Sequence, residues 1–164
     1  MLRLTKKADY SLIALKHLAS RYTDPKNPAA SAKEVADAYG IPLPLLSKIL
    51  QKLTKSGFLV SEHGTNGGYR LSRPAQMITA LEVIRAIDGP IILTQCFTEH
   101  EHCDHSARCS VRKPLRRIHE GILRLLHNVT IQNMLEDSEA EAGPAASPLV
   151  ALTHASATQM LTER

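Results

Sequence analysis

The sequence predicts a mainly α-helical protein with a small β-wing: a winged helix-turn-helix followed by a long C-terminal dimerisation helix. Three observations lead to this fold class. Apolar residues recur at helical spacing through most of the first 135 residues, two short helices flank a glycine-containing turn, and a hairpin pattern follows the second of them. Aromatic residues make up only 4% of the chain and Trp is absent, which indicates an aliphatic core suited to helices.

The first two helices are predicted from their start signals and their periodicity. Residues 5–22 place apolar side chains on one face, and Thr5 precedes them as a potential N-cap. Ser31 and Glu34 have the spacing of a capping box, so a second helix should start there and end at Gly40.

The third helix and the hairpin complete the predicted DNA-binding region. The third helix, residues 42–56, has prolines near its first turn, one apolar face and one basic face. Two short strand-like runs follow, residues 58–62 and 69–72, around a turn that contains Gly and Asn. A helix-turn-helix followed by such a hairpin is typical of a winged helix, although ordinary helical bundles also contain such helix pairs.

The second half of the chain begins with another capping box, Thr79 with Glu82, ahead of an apolar helix. Pro114 then fits the first turn of a long helix that the pattern extends to residue 135. Its apolar seam is suited to dimerisation. Three regions are therefore predicted: a DNA-binding domain at 1–75, a cysteine-loop sensor with a dimerisation helix at 76–135, and an acidic, disordered tail at 136–164.

Charge is distributed unevenly along the chain. Residues 1–75 contain twelve Lys or Arg against five Asp or Glu, a net of +7. Residues 76–133 carry a net of +1 (seven against six), and residues 134–164 a net of −4 (one against five). A basic N-terminal half is the pattern expected when the partner is double-stranded DNA.

All three cysteines lie within fourteen positions, at Cys96, Cys103 and Cys109. An odd number of cysteines argues against a disulfide framework, and a loop can direct several thiolates at one centre. Thiolates favour zinc, Cu(I) and iron–sulfur clusters, and a fourth ligand of another type must complete a four-ligand set. Zinc and three unligated thiols that respond to oxidation are the alternatives to a cluster.

The motifs "MLRLTKKADYSLIALKHLA", "SAKEVADAYGIPLPLLSKILQKLTKSGFLVS", "GTNGGYRLSRP" and "ITALEVIRAIDG", followed by a three-cysteine loop, resemble the Rrf2 family of bacterial regulators. The resemblance covers roughly residues 1–135 and includes the motifs in the family's order. It implies a homodimeric winged-helix repressor whose three cysteines hold a 2Fe–2S or 4Fe–4S cluster, with the cluster state, redox conditions or nitric oxide setting operator affinity.

The resemblance also bears on the fourth ligand. IscR-type members use a His three residues after the third cysteine, where this chain has Arg112, so that arrangement does not carry over. NsrR-type members use an acid at the start of the first helix of the partner subunit, and Asp9 matches that position. Asp9 is also explained as a first-turn acid favoured by the helix dipole. The other candidates are His100, His102 and His105.

The predicted DNA contacts come from the N-terminus, the third helix and the wing. The start of the third helix should reach base edges, whereas its lysines should bind phosphates, so Lys52→Ala is expected to weaken binding to all sequences alike. In the wing, glycines allow a close approach to phosphates, and His63 and Arg70 can reach a minor groove. The full set is Arg3, Thr5, Lys6, Pro44, Leu45, Ser47, Lys48, Gln51, Lys52, His63, Gly67, Gly68, Tyr69 and Arg70.

Other classes of protein are disfavoured. The sequence shows no signal peptide and no apolar run of membrane-spanning length, so we expect a cytoplasmic protein without a membrane partner. Cysteines near histidines raise the question of thiol catalysis, but no oxyanion motif accompanies them. We therefore expect neither an enzyme nor a small-molecule substrate.

Overall fold

The computed structural model describes residues 4–22, 29–64, 67–94, 97 and 108–141. Six α-helices and one two-stranded antiparallel sheet lie within these ranges, so the predicted mainly α-helical fold with a small β-wing is confirmed. The elements are α1 Lys6–Arg21, α2 Ala32–Tyr39, α3 Leu43–Lys55, β1 Leu59–Glu62, β2 Gly68–Leu71, a 3-10 turn Ala75–Met77, α4 Ala80–Asp88, α5 Arg112–Asn128 and α6 Ile131–Glu141.

Three helices start at the side-chain caps that the sequence predicts. The Thr5 hydroxyl accepts a backbone N–H of the first turn of α1, and full capping boxes start α2 (Ser31 with Glu34) and α4 (Thr79 with Glu82). The Ser31 N–H holds the pKa of Glu34 below its usual range, with help from a neighbouring guanidinium. Burial raises the pKa of Glu82, but hydrogen bonds from Thr79 outweigh it and leave this pKa lowered.

One aliphatic core joins the helices and the hairpin. Leu15 of α1, Leu50 of α3, Leu71 of β2 and Ile84 of α4 are all buried in it. Ile131, the first residue of α6, is also fully buried there. The packing is thus continuous across residues 75 and 76, where the DNA-binding and sensor regions were predicted to divide. That division stays a prediction about function rather than about packing.

The long helix predicted to run to residue 135 is two helices, so that prediction is wrong. Val129 has extended backbone (φ −85°, ψ 116°) and ends α5. Thr130 and Asn133 then cap α6: Asn133 Oδ1 accepts from the Thr130 N–H (3.0 Å) and hydroxyl (2.8 Å), and the Thr130 hydroxyl accepts from the Asn133 N–H (3.2 Å). The helix α6 extends to Glu141, past residue 136, where the tail was predicted to start.

Backbone hydrogen bonds fasten the break between α5 and α6 to the start of α4. The Ala80 N–H donates to the Val129 carbonyl at 2.8 Å, and the Ile131 N–H donates to the Ile78 carbonyl at 2.9 Å. The segments 78–80 and 129–131 therefore pair like two short strands. This pairing anchors the start of α6 on the core.

The helix α5 is amphipathic but contains no fully buried residue. Val111, just before it, and Ile118 and Leu125 within it recur every seven residues and are 55%, 53% and 65% exposed. An apolar stripe of this kind on a single chain is suited to a second helix. Despite that stripe, neither α5 nor any other helix in the described ranges has both the length and the apolar character needed to cross a bilayer.

Candidate DNA-binding surface and cysteine segment

A tight turn between α2 and α3 fixes the helix-turn-helix. Gly40 has left-handed backbone (φ 63°, ψ 30°), which glycine adopts without a steric penalty. The Ile41 N–H donates to the Ala36 carbonyl at 3.0 Å and closes the turn. Because Leu46 and Leu50 are fully buried, α3 is locked with one face on the core and the opposite face outward.

The outer face of α3 is open and polar. Lys48 and Gln51 are exposed and have no hydrogen-bond or ion-pair partner among the described residues. Ser47 is half-buried at the edge of this face, and Pro44 is exposed in the first turn. Leu45 packs partly against the core, so its side chain is only partly available to a ligand. This arrangement leaves the start of α3 free to enter a DNA groove.

Lys52 differs from Lys48, one turn earlier. Its Nζ donates a hydrogen bond of 2.8 Å to the Ile87 carbonyl in the last turn of α4. The sequence predicted a lysine available to phosphate, whereas the structure gives its ammonium a partner within the chain. Lys52 therefore joins α3 to the end of α4.

The wing is built on a backbone contact with the segment before α2. Tyr69 and Ala30 exchange two backbone hydrogen bonds, of 2.9 and 3.0 Å, and the Tyr69 ring packs against the core. A Cβ on Gly68 would lie 2.5 Å from the Ala30 carbonyl oxygen, and one on Gly67 would lie 2.6 Å from the Glu62 carbonyl oxygen. These two glycines are thus required by close approaches inside the protein, a reason that the sequence alone did not suggest.

Arg70 and His63 lie on the exposed part of the wing. Arg70 Nε donates to a carboxylate oxygen of Glu62 across the hairpin, and both side chains are about 40% exposed. His63 is exposed just after β1. Glu62 thus competes with any phosphate for Arg70.

We expect Glu62→Gln to increase affinity for double-stranded DNA about threefold, irrespective of sequence. The change frees Arg70 and removes a negative charge beside the DNA, and an exposed ion pair contributes only about 0–1 kcal/mol to folding. Fluorescence anisotropy with random-sequence DNA measures the effect. Asp137→Asn, an exposed acid on α6, is the control for charge alone. Unchanged or weaker binding by Glu62→Gln would contradict the competition.

The start of α1 supplies the remaining predicted DNA contacts. Thr5 is exposed, but its N–H and hydroxyl donate to the Asp88 carboxylate at 3.2 and 2.6 Å, in addition to capping α1. Lys6 is exposed and has no hydrogen-bond or ion-pair partner within the described ranges. Arg3 lies outside the described residues.

The cysteine segment is described only at its two ends. Cys109 is half-buried, three residues before α5. Phe97, next to Cys96 in sequence, stacks on His119 of α5 with ring centroids 5.3 Å apart. Asp9 is exposed in the first turn of α1. The other predicted ligands lie outside the described residues: Cys96, Cys103, His100, His102 and His105.

Positive charge is concentrated in the residues that follow Cys109 in sequence. Side chains in the first turns of α5 line a cavity of about 340 Å³; they are Arg112, Lys113, Arg116, Arg117 and Glu120. The Arg112 Nε is buried without a hydrogen-bond partner among the described residues. Cations in the first turn of a helix oppose its dipole, so a negatively charged group beside them is favoured. A cluster held by thiolates fits this environment, although no group of three metal-ligand side chains forms within the described ranges.

A family model described as "Rrf2: Iron-dependent Transcriptional regulator" matches residues 4–137, most of the chain. The protein belongs to the Rrf2 family. It is therefore a transcriptional regulator with a DNA-binding winged helix, and the resemblance found in the sequence is confirmed.

Solved structures of Rrf2 regulators share this fold. CymR of B. subtilis, a global cysteine regulator, is 25% identical with a TM-score of 0.69, and the match covers 83% of this chain and 98% of that one. IscR of T. potens is 25% identical with a TM-score of 0.66, and the match covers 91% of this chain and 96% of that one. Staphylococcus aureus CymR is 25% identical with a TM-score of 0.63, and the match covers 80% of this chain and 97% of that one.

Two contacts in this Rrf2 protein were missed from the sequence: Lys52 with Ile87, and Thr5 with Asp88. Both join residues far apart in sequence, and both end in the last turn of α4. No local pattern signals either contact, since a lysine and a threonine in these positions have adequate local roles as a surface cation and an N-cap.

Proposed function

We propose that this protein is a homodimeric repressor that recognises a specific operator and whose affinity depends on an iron–sulfur cluster, 2Fe–2S or 4Fe–4S, held by its cysteines. The observation that carries the proposal is the open polar face of α3 in a chain that belongs to a family of iron-dependent regulators. The net charge of +7 over residues 1–75 supports binding to double-stranded DNA.

Base recognition is assigned to the first half of α3. Ser47 and Gln51 are the polar side chains placed to read base edges, and Lys48 is placed to bind a phosphate. Pro44 and Leu45 border this face. Outside α3, the proposed contacts to the DNA backbone and the minor groove are Arg3, Thr5, Lys6, His63, Gly67, Gly68, Tyr69 and Arg70.

The proposed cluster ligands are Cys96, Cys103 and Cys109, with Asp9 of the partner subunit as the fourth. When bound, the cluster supplies redox chemistry and reactivity towards nitric oxide. Arg112 and its cationic neighbours offset the negative charge of the thiolates. Asp9 links the cysteine segment to α1, and its release changes the separation of the two recognition helices, which must match a turn of DNA.

The likeness to CymR, a cysteine regulator, favours a second candidate. In this candidate the same winged helix binds DNA, but its cysteines hold zinc or act as free thiols that oxidise. The DNA-binding surface is common to both candidates, so they differ in what the cysteine segment holds.

Anaerobic purification followed by a visible spectrum and assays for iron, acid-labile sulfide and zinc tests the proposal. Brown protein with iron and sulfide, and with operator affinity that changes when the cluster is removed, supports it. Colourless protein that cannot be reconstituted leaves the second candidate, and the zinc content then separates zinc from free thiols. A protein with no preference for any sequence in a random DNA pool would contradict both.

Ser47→Ala is expected to reduce the preference for operator over random DNA about tenfold, because it removes a hydrogen-bonding group at a base edge. Binding to random DNA should stay within about twofold of the wild type, because Ser47 carries no charge. Competition titrations with the two DNAs provide the measurement. Equal losses for both DNAs would show that Ser47 does not read sequence.

A further inference from the structure

The last turn of α4 makes polar contacts with two other helices. Lys52 of α3 donates to the Ile87 carbonyl at 2.8 Å. The last carbonyls of a helix have no partner within it, and the dipole there favours a cation, so this is a stable position for an ammonium group.

Asp88, the next residue, holds α1. Its two carboxylate oxygens accept from the Thr5 hydroxyl (2.6 Å) and the Thr5 N–H (3.2 Å). A negative charge at the end of α4 opposes that helix's own dipole, but it lies at the start of α1, where the dipole favours it. The Ile87–Asp88 pair, here called the α4 junction, therefore fastens both α3 and α1.

The α4 junction also stands at the entrance to the cysteine segment. Gly89 ends α4 with a positive φ of 87°, and its N–H still donates to the Arg85 carbonyl at 3.0 Å. The chain then reaches Cys96 within seven residues. A displacement of this segment would act on the three hydrogen bonds, one from Lys52 and two from Thr5, that orient α3 and α1.

We propose that Lys52 is a positioning residue rather than a phosphate ligand, and that the α4 junction transmits the state of the cysteine segment to the recognition helix. The transmission rests on the proposed function, whereas the role of Lys52 rests on its own contact. From the sequence alone, Lys52 is expected to bind phosphate and so to contribute equally to binding of every DNA sequence. As a positioning residue, Lys52 instead contributes to binding of the operator. The proposal also places coupling inside one subunit, in addition to the proposed link through Asp9.

Salt dependence separates a phosphate ligand from a positioning residue. Each phosphate contact releases counterions and contributes about 0.9 to the slope of log affinity against log salt concentration. Removing a phosphate ligand lowers that slope and weakens binding to every sequence. Removing a positioning residue keeps the slope and weakens only the operator complex, because the recognition helix is misaligned with the base edges.

The experiment compares Lys52→Ala with Lys48→Ala, which removes the same side chain one turn earlier on the same helix. An operator is first selected from a random DNA pool, and affinities for operator and random DNA are then measured over a range of salt concentrations. Lys48→Ala should weaken both and lower the slope by about one. Lys52→Ala should weaken operator binding about tenfold, leave random DNA within about twofold, and keep the wild-type slope.

Asp88→Asn provides a second variant with an expected effect of the opposite sign. If only charge mattered, removing this acid would strengthen binding to all DNA. If the α4 junction orients the helices, Asp88→Asn weakens operator binding and reduces the change in operator affinity that follows loss of iron. The control variant Asp137→Asn has neither effect. Circular dichroism confirms that each variant is folded.

A slope lowered by one in Lys52→Ala, with equal losses for both DNAs, would overturn the positioning role. If the operator affinity of Asp88→Asn changes on loss of iron as much as that of the wild type, the α4 junction does not transmit the state of the cysteine segment. If the wild type shows no sequence preference or no response to iron, the proposed function fails instead. The slope on random DNA still decides the role of Lys52 in that case.

Discussion

With the proposed cluster, the wild type is expected to be brown, whereas a Cys109→Ser protein purified without oxygen is expected to be colourless and to contain almost no iron or acid-labile sulfide. A serine hydroxyl is a much poorer ligand for iron than a thiolate, and the chain has only three cysteines. Cys109 is half-buried and lies three residues before the cationic first turns of α5. Metal and sulfide assays together with the visible spectrum measure the effect.

The neighbouring exposed residue supplies the control for this experiment. Ser110→Ala changes a side chain next to Cys109 and should retain the wild-type colour and iron. Binding of the Cys109→Ser protein to random DNA should be unchanged, because the basic surface of the winged helix is intact. Full iron and sulfide in the Cys109→Ser protein would show that Cys109 is not a ligand.

Leu125→Glu is expected to convert the proposed dimer to a monomer and to weaken binding to a two-half-site operator about 100-fold or more. The leucine is 65% exposed on the apolar stripe of α5, so a charge there costs little in the folded monomer but would be buried between two subunits. A monomer also loses the high effective concentration that links the two half-sites. Analytical ultracentrifugation and operator titrations measure the two effects.

A matched change on the other side of α5 tests whether the stripe itself is responsible. His127→Glu introduces the same side chain two residues further on, at an exposed position that faces away from the stripe. It should leave both the dimer and operator binding near wild type. Loss of the dimer in both variants would indicate a general effect on α5, and a stable dimer in Leu125→Glu would place the interface elsewhere.

Local signals explain why most of the fold could be predicted. Capping boxes and glycine stops depend on residues three or four positions apart, so the starts of α2 and α4 and the turn at Gly40 could be predicted from the sequence. The break before α6 depends on an equally local pair, Thr130 and Asn133, but the apolar periodicity continues across it and predicted one helix. The backbone pairing of residues 129–131 with residues 78–80 fixes the break between α5 and α6, and no local sequence pattern signals this pairing.

The candidate site was predictable in its residue types but not in its partners. Periodicity placed Lys48, Gln51 and Lys52 away from the apolar face of α3, and the first two have no hydrogen-bond or ion-pair partner within the described part of the chain. The partner of Lys52 is a backbone carbonyl 35 residues away, and that of Thr5 is a carboxylate 83 residues away. Only the packing of α4 against α1 and α3 brings these groups together.

The pairing of segments 78–80 and 129–131 brings together the two ends of a long loop in the chain, and α4, which opens this loop, stays in the core. In sequence, the cysteines and α5 follow α4 within the same closed loop. The entropic cost of such a closure grows only logarithmically, by about 0.6 kcal/mol for each doubling in length. Evolution can therefore lengthen or exchange the stretch between α4 and α5 while α4 stays on the DNA-binding body, and protein engineers could graft a different sensor there.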